Sequence, residues 1–400
     1  MENRPSPVGD PERKECAYDS CQFTAADEEL IEFDGKHWCR FHLPMRDGEG
    51  KESPKASWDE ATLKTFSRAI FDVIEDARTK NDTADFTGVV FPGPVSFEHF
   101  TAEHPLPAIQ FIAATFSDIA RFDNATFSGV WFENATFSDI ARFDNATFSS
   151  VAWFENATFS SVADFSCSPA TSKTSSDIAL AHDAFGHLSF KNATFDGRAI
   201  FTNRKFTQPA RFSGGHFTGA PEFYGCALHQ GTTFLGRDFL DTGKHNVDAV
   251  SAYRTLKLAM ESLRDRSNEA KFFAFEQVAL RTTKQASRLV RLLSLLYSVS
   301  SNYRQSIGRP LLWLALTTLA SFLLYAWLLD ITVQHVVSRE ALERTLRATL
   351  EPLFNPFGAF RPSTWVYPFP VQLLMLLQSL LSLVWITLFL LALRRRFKLD

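Results

Sequence analysis

The stretch FDNATFSGVWFENATFSDIARFDNATFSSVAWFENATF, Phe122 to Phe159, decides the fold. It holds four Asn-Ala-Thr triplets, starting at Asn124, Asn134, Asn145 and Asn156, and a fifth starts at Asn192. Each matches the Asn-x-Ser/Thr acceptor pattern for N-glycosylation. The triplets also belong to a longer beat. Phenylalanine recurs at steps of five or six from Phe116 to Phe165, and again from Phe190 to Phe239 with Leu228 in one slot. Two positions before most of these phenylalanines stands Ala or Val, as at Ala125, Ala135, Ala146 and Ala157. The unit is A-x-F-x-x.

A helix needs apolar residues at 3.6 spacing and a half-buried strand at two. A five-residue period fits neither as a continuous element. It fits a solenoid, in which a small and a large residue of each unit point inward and the chain then turns a corner. Four units per coil predict about six coils over residues 85–240, in a stack roughly 29 Å tall at strand spacing. One coil cannot bury its own Phe, so the coils must stack to be stable. Composition agrees: 40 of 400 residues are Phe, against 7 Tyr and 8 Trp. One structural slot is being filled repeatedly.

These residues resemble the pentapeptide-repeat family, whose pattern sets a small residue two before a central Leu or Phe. The resemblance implies a right-handed quadrilateral β-helix. The frequent sixth residue, as in FSDIARF, departs from the strict period and leaves coil shape open. Ala125 and Phe127 point inward in this register, while Asn124 and Thr126 face a corner and the outside. Asn suits a corner because it tolerates left-handed torsions and bonds nearby backbone. Thr suits a short strand. Trp131 and Trp153 point outward and are the candidate interface anchors for a protein partner on the β-helix surface. The Ser-rich SCSPATSKTSSD, within 166–184, reads as a loop inserted between two repeat blocks.

The C-terminal end is different in kind. PLLWLALTTLASFLLYAWLL (Pro310–Leu329) and PVQLLMLLQSLLSLVWITLFLLAL (Pro370–Leu393) are 20 and 24 residues without a charge. Each is long enough to cross a hydrocarbon core of roughly 30 Å. Two transmembrane helices are therefore expected near 310–333 and 370–393, joined by an extracytoplasmic loop, 334–369, with a short helix. The basic tail Arg394, Arg395, Arg396 predicts a cytoplasmic C-terminus by the positive-inside rule. The N-terminus has no apolar core of a signal peptide and is expected on the same side. The chain thus reads as a multi-pass protein of a bacterial inner membrane. Between solenoid and spans, 246–300 has apolar residues at helical steps and no Pro or Gly, an α-helical connector. Arg281, Lys284, Arg288 and Arg291 recur there and are candidate contacts for anionic lipid headgroups.

Near the N-terminus, ECAYDSC and HWCRFH place Cys16, Cys21, Cys39 and His42 as two close pairs with a spacer. That donor set suits a closed, structural tetrahedral Zn²⁺ site in a reducing compartment. His37 is an alternative ligand. Phe33, Trp38 and Phe41 are the expected core of this module, residues 1–50, and a helical lead-in over 51–84 joins it to the solenoid. CRFHLP is similar to Cys/His modules found ahead of some pentapeptide-repeat membrane proteins.

No Gly-rich phosphate loop, metalloprotease motif or nucleophile–base pattern is visible, so a non-catalytic role is expected. The net charge of −4 and the near-cancelling charges of the rod speak against a nucleic-acid partner or a duplex mimic. The expected role is binding or scaffolding at the cytoplasmic membrane face. The two spans and their loop also resemble the two-span pore unit of bacterial potassium-channel-like proteins. That resemblance implies a channel-like oligomer sensed or gated by the rod. The Thr-Val-Gly-Tyr-Gly filter is absent, and NPFGAF stands in the corresponding place. Thr317, Thr318 and Ser321 in the first span and Gln372, Gln378, Ser379, Ser382 and Thr387 in the second suit helix packing, and fit self-association into a homo-oligomer as well as a lumen.

Overall fold

Most repeat units fold as a two-residue strand followed by a corner, and strands pair in parallel from one coil to the next. Thr115, Thr136, Thr158 and Thr194 are aligned on one face. Ala120, Ala141, Ala163 and Ala199 are aligned on the second. Phe127, Phe148, Phe185 and Phe206 line the third, and Ile109, Val130, Ala152 and Leu188 the fourth. The computed structural model describes residues 15–19, 21–23, 30–168, 184–234, 249–282, 286–303, 306–329, 339–354 and 367–397. The chain divides into two compact units, Met1–Glu276 and Gln277–Asp400.

The first unit is a four-sided β-solenoid of about five turns over residues 84–217. Beyond Phe217 the described pairing thins to isolated bridges such as Lys205↔Ala227 and Arg211↔Thr233. The sixth residue falls between the first and second faces, as from Phe116 to Phe122 and from Phe137 to Phe143, and in some coils also between the third and fourth, as from Phe148 to Phe154 and from Phe206 to Phe212. Between the third and fourth faces the corner is shallow enough for one strand, Thr126–Trp131, to run through it.

Inside, the phenylalanines form four columns. On the first face Phe91, Phe116 and Phe137 stack with centroids 4.6 and 4.8 Å apart and near-parallel rings. That spacing is the strand separation, so the backbone ladder dictates the ring stack. Neighbouring columns meet edge to face, as Phe137 and Phe143 do at 6.0 Å and 80°. Both arrangements are favourable for the ring quadrupole.

The two tight corners are the Asn corners. Asn134, Asn156 and Asn192 turn one of them and Asn124, Asn145 and Asn203 the opposite one, all with φ of 57–61°. Gly88, Gly214 and Gly225 hold equivalent slots at positive φ, and Ala113 does so at φ 53°. All five Asn-Ala-Thr triplets therefore start on a left-handed corner residue.

Both ends of the phenylalanine stack are covered. Helix α1 (Glu60–Lys80) starts at Asp59, whose side chain accepts from the Thr62 N–H, and ends at left-handed Asn81. It buries Phe66, Ile70, Ile74 and Ala77, one helical stripe, and sets Phe66 edge-on to Phe91 of the first coil. At the other end α2 (Ala249–Ser262) and α3 (Arg266–Thr282) take over. Phe272 meets Phe234 edge-on at 5.4 Å. Buried Glu276 accepts from Arg254 at 2.9 Å and Lys257 at 2.7 Å.

In the second unit, α4 (Arg288–Ser301) leads to α5 (Gly308–Leu328), α6 (Arg339–Phe354) and α7 (Phe369–Phe397). Helices α5 and α7 are long and apolar enough to cross a membrane. They pack on each other, and α6 packs on both. Tyr325 of α5 donates to Gln378 Oε1 of α7 at 2.8 Å, and Gln378 Nε2 donates to the Thr349 carbonyl of α6 at 2.8 Å. The leucine side of α6 is not the packed side. Leu342, Leu346 and Leu350 are exposed, while Thr345, Ala348 and Thr349 are buried.

Candidate metal centre and outer face

The N-terminal module is built on a hairpin. Strands β1 (Ile31–Phe33) and β2 (Lys36–Trp38) pair antiparallel around Asp34-Gly35, both at positive φ, as a two-residue hairpin turn requires. The chain leaves β2 directly into Cys39, and a Leu43 N–H to Cys39 carbonyl bond of 3.0 Å curls the segment so that Cys39 and His42 face one point. Cys16 and Cys21 close the other side. The Ala17 N–H donates to the His37 carbonyl at 2.7 Å and holds that segment to the hairpin.

The four ligand atoms all lie within 4.8 Å of one another. Cys39 Sγ is 3.3 Å from His42 Nδ1, Cys21 Sγ is 3.7 Å from Cys39 Sγ, and Cys16 Sγ is 3.9 Å from His42 Nδ1. A tetrahedron with Zn–S of about 2.3 Å and Zn–N of about 2.0 Å has edges of about 3.8 Å (S–S) and 3.5 Å (S–N). The donor set fits that ion. His37 lies on β2, outside the cluster.

The surroundings fit as well. His42 Nε2 lies 3.0 Å from the Thr87 carbonyl oxygen. An N–H there leaves Nδ1 bare and aimed at the cluster, the tautomer a metal ligand needs. Burial lowers the His42 pKa and so favours the neutral ring. Burial raises the Cys39 and Cys21 thiols, so an uncompensated thiolate is disfavoured there. Tyr18 stacks on His42 at 4.1 Å. Tyr18 also sits where a Cβ on Gly88 would be, so that corner needs glycine for space as well as for torsion.

Lys55 is the residue that sequence reasoning missed here. It is 1% exposed, and its Nζ donates to the Arg40 and Phe41 carbonyls at 2.6 and 3.0 Å. It lies over the Trp58 and Phe66 rings at 5.3 and 4.9 Å. Burial pushes its ammonium down to about 7, and Cys39 pulls in the opposite direction. Three thiolates and a neutral imidazole around a divalent ion carry one net negative charge, which a buried ammonium beside Cys39 offsets. Nothing local in PKASW marks this lysine as buried.

Phe41, flanked by the ligands, stacks on Phe23 at 4.1 Å and meets the tilted ring of Phe66 of α1 at 5.5 Å. Phe33 and Phe41 are buried, whereas Trp38 is half-buried at the edge. The module is thus part of the cover on the first coil rather than a separate bead on a linker.

Trp131 and Trp153 are paired in register on adjacent coils of the fourth face. Both point outward. Trp153 is 39% exposed, and Trp131 is half-buried, its ring 3.4 Å from where a Gly129 Cβ would stand. The basic candidates are dispersed. Arg281 belongs to α3, while Arg288 and Arg291 are exposed on α4, so they do not share one helix face. Lys284 lies outside the described residues. Arg394 is exposed on the last turns of α7; Arg395 and Arg396 continue that helix, and their side chains lie outside the described residues.

Arg204 is the second unforeseen residue. It occupies the small-residue slot two before Phe206 and is completely buried. Its guanidinium donates to the Phe165, Ala146 and Phe143 carbonyls at 2.6, 2.9 and 3.1 Å and lies 4.7 Å over the Phe185 ring. In intact coils the corner N–H bonds back to the Phe carbonyl, as Ala125 does to Phe122. The insertion after Phe165 interrupts that corner, and Arg204 supplies donors at the break. The signal was legible: a basic residue stands where its neighbours have Ala.

Residues 108–147 and 122–166 match the family model for pentapeptide repeats (9 copies). Neither a curated protein nor a solved structure matches the chain.

Proposed function

We propose that the chain is a membrane-anchored, non-catalytic binding or scaffold module. Its repeat rod stands on the cytoplasmic face of the inner membrane and is closed at its N-terminal end by a structural Zn²⁺. The observation that carries the scaffold reading is the interior. It is filled by four columns of buried Phe, so recognition is left to outward side chains. Trp131 and Trp153, adjacent on one face, are the anchors for a protein partner. Helices α5 and α7 hold the rod to the bilayer, with Arg281, Lys284, Arg288, Arg291 and the basic tail at its headgroups. Cys16, Cys21, Cys39 and His42 hold the metal. The ion would cross-link the chain ends that cover the first coil, and four protein donors leave it no open position for chemistry.

Crosslinking in native membranes tests the binding reading. A partner captured by the wild-type chain and lost on Trp131→Ala/Trp153→Ala, with the solenoid's circular dichroism unchanged, supports it. The same capture by the double variant sinks it. Metal analysis tests the ion: about one zinc per chain is expected, lost on Cys39→Ser.

A channel-like oligomer is the second reading, favoured by α6 lying against both spans with Thr345, Ala348 and Thr349 on the packed side. The NPFGAF segment lies outside the described residues. Ion-selective liposome flux that disappears on altering that segment would establish this reading over a simple anchor.

A further inference from the structure

Helix α4 is built inside out. Its serines face protein: Ser300 and Ser301 are buried, and the Ser294 hydroxyl lies 2.9 Å from that of Tyr303. Its apolar side faces out, with Leu289 64%, Leu293 55% and Leu296 55% exposed, and Leu292 and Val299 close behind. In water such a helix would leave its large side chains hydrated and bury its small polar ones, the reverse of the usual partition. The arrangement is stable only if something apolar covers the leucines.

What covers them is indicated by the helix's attachments. The Arg309 guanidinium donates to the Ser298 carbonyl at 3.0 Å, and the Trp313 indole N–H donates to the Val299 carbonyl at 3.3 Å. The last turn of α4 is therefore fixed to the first turns of α5, whose own Leu312, Leu316 and Leu319 are exposed. The apolar surface of α4 continues that of a candidate span. Arg and Trp at such a junction are residues that settle at the headgroup level. Fourteen residues give about 21 Å of helix, too short to cross a core of roughly 30 Å. The other end carries Arg288 and Arg291 in the first turn, where the helix dipole opposes positive charge. Anionic groups at that end would offset the opposition.

We infer that α4 is an in-plane membrane helix, its leucine face sunk in the headgroup–acyl boundary on the side where α5 begins and its basic end at anionic headgroups. The inference rests on the reading of α5 as a span. It makes the anchor three-part, with an interfacial helix joined directly to a crossing one.

The test uses the full chain in phosphatidylcholine/phosphatidylglycerol liposomes, with a benzophenone amino acid placed at Leu293, at Leu296 or, as reference, at Leu319 of α5. The expected result on illumination is a mass increase of one lipid at Leu293 or Leu296, as at Leu319. A covalent dimer from Leu293 and Leu296 would show that a second copy covers the face, and would overturn the inference. So would absence of lipid adducts at both positions while Leu319 is labelled. Absence at Leu319 as well would reject the span reading itself, and this inference with it.

Discussion

His42 Nε2 and the Thr87 carbonyl oxygen, 3.0 Å apart, join the Cys/His cluster to the first coil of the solenoid. The Val90 N–H adds a second tie, to the Phe41 carbonyl at 2.9 Å. The cluster is therefore placed to govern the end of the rod, where stacked coils are least supported.

Metal removal should loosen that end first. Chelation, or Cys39→Ser, is expected to speed amide exchange over residues 84–91 and leave residues 190–212 unchanged. Loss of one ligand should weaken zinc binding by more than the roughly 10–100-fold that losing an outer partner typically costs. Hydrogen exchange with mass spectrometry, beside zinc titration, checks both. Uniform exchange in both regions would argue against an end-specific role.

Lys55→Met keeps the side chain's bulk and removes its donors. The Arg40 and Phe41 carbonyls then lose a buried partner, at about 1–3 kcal/mol. The buried charge beside the thiolates is lost too, so zinc affinity should fall together with stability. A variant that loses stability and keeps wild-type zinc affinity would show that the ammonium does not balance the site.

Arg204→Met should be the most damaging single change in the rod outside the phenylalanines. The Phe165 and Ala146 carbonyls lose their donor in a dry interior, at about 1–3 kcal/mol each, while the Phe143 carbonyl keeps the Ala146 N–H. Arg204→Lys should recover only part, because one ammonium does not reproduce a planar fork. Denaturant unfolding gives the magnitudes, and exchange at residues 143–148 gives the location.

Ala113 holds a left-handed corner slot that Asn or Gly fills in the other coils. Relieving its Cβ strain by Ala113→Gly is expected to stabilise the rod by about 1 kcal/mol. Asn145→Ala should cost a similar amount and also remove the 2.7 Å bond from the Ser168 N–H to its side chain. Equilibrium unfolding of the two variants should move in opposite directions. Shifts of the same sign would contradict the corner account.

What the sequence determined by itself was everything that repeats or is local. Each unit is surrounded by copies of itself, so the A-x-F beat alone assigned Ala125 and Phe127 inward, Trp131 and Trp153 outward and Asn124 to a left-handed corner. The two charge-free runs marked the membrane-length helices by length alone, and ligand type and spacing marked the Cys/His set. Tertiary structure decided what happens where the repetition stops. The ends of the stack need covers, and only the folded chain shows α1 with the Cys/His module at one end and α2–α3 at the other. The insertion needs donors at its break, and Arg204 brings them to carbonyls 39, 58 and 61 residues earlier. Helices α4 and α6 turn their serines and threonines inward and their leucines out, a choice invisible to periodicity, because a helical stripe is the same whether protein or lipid lies against it.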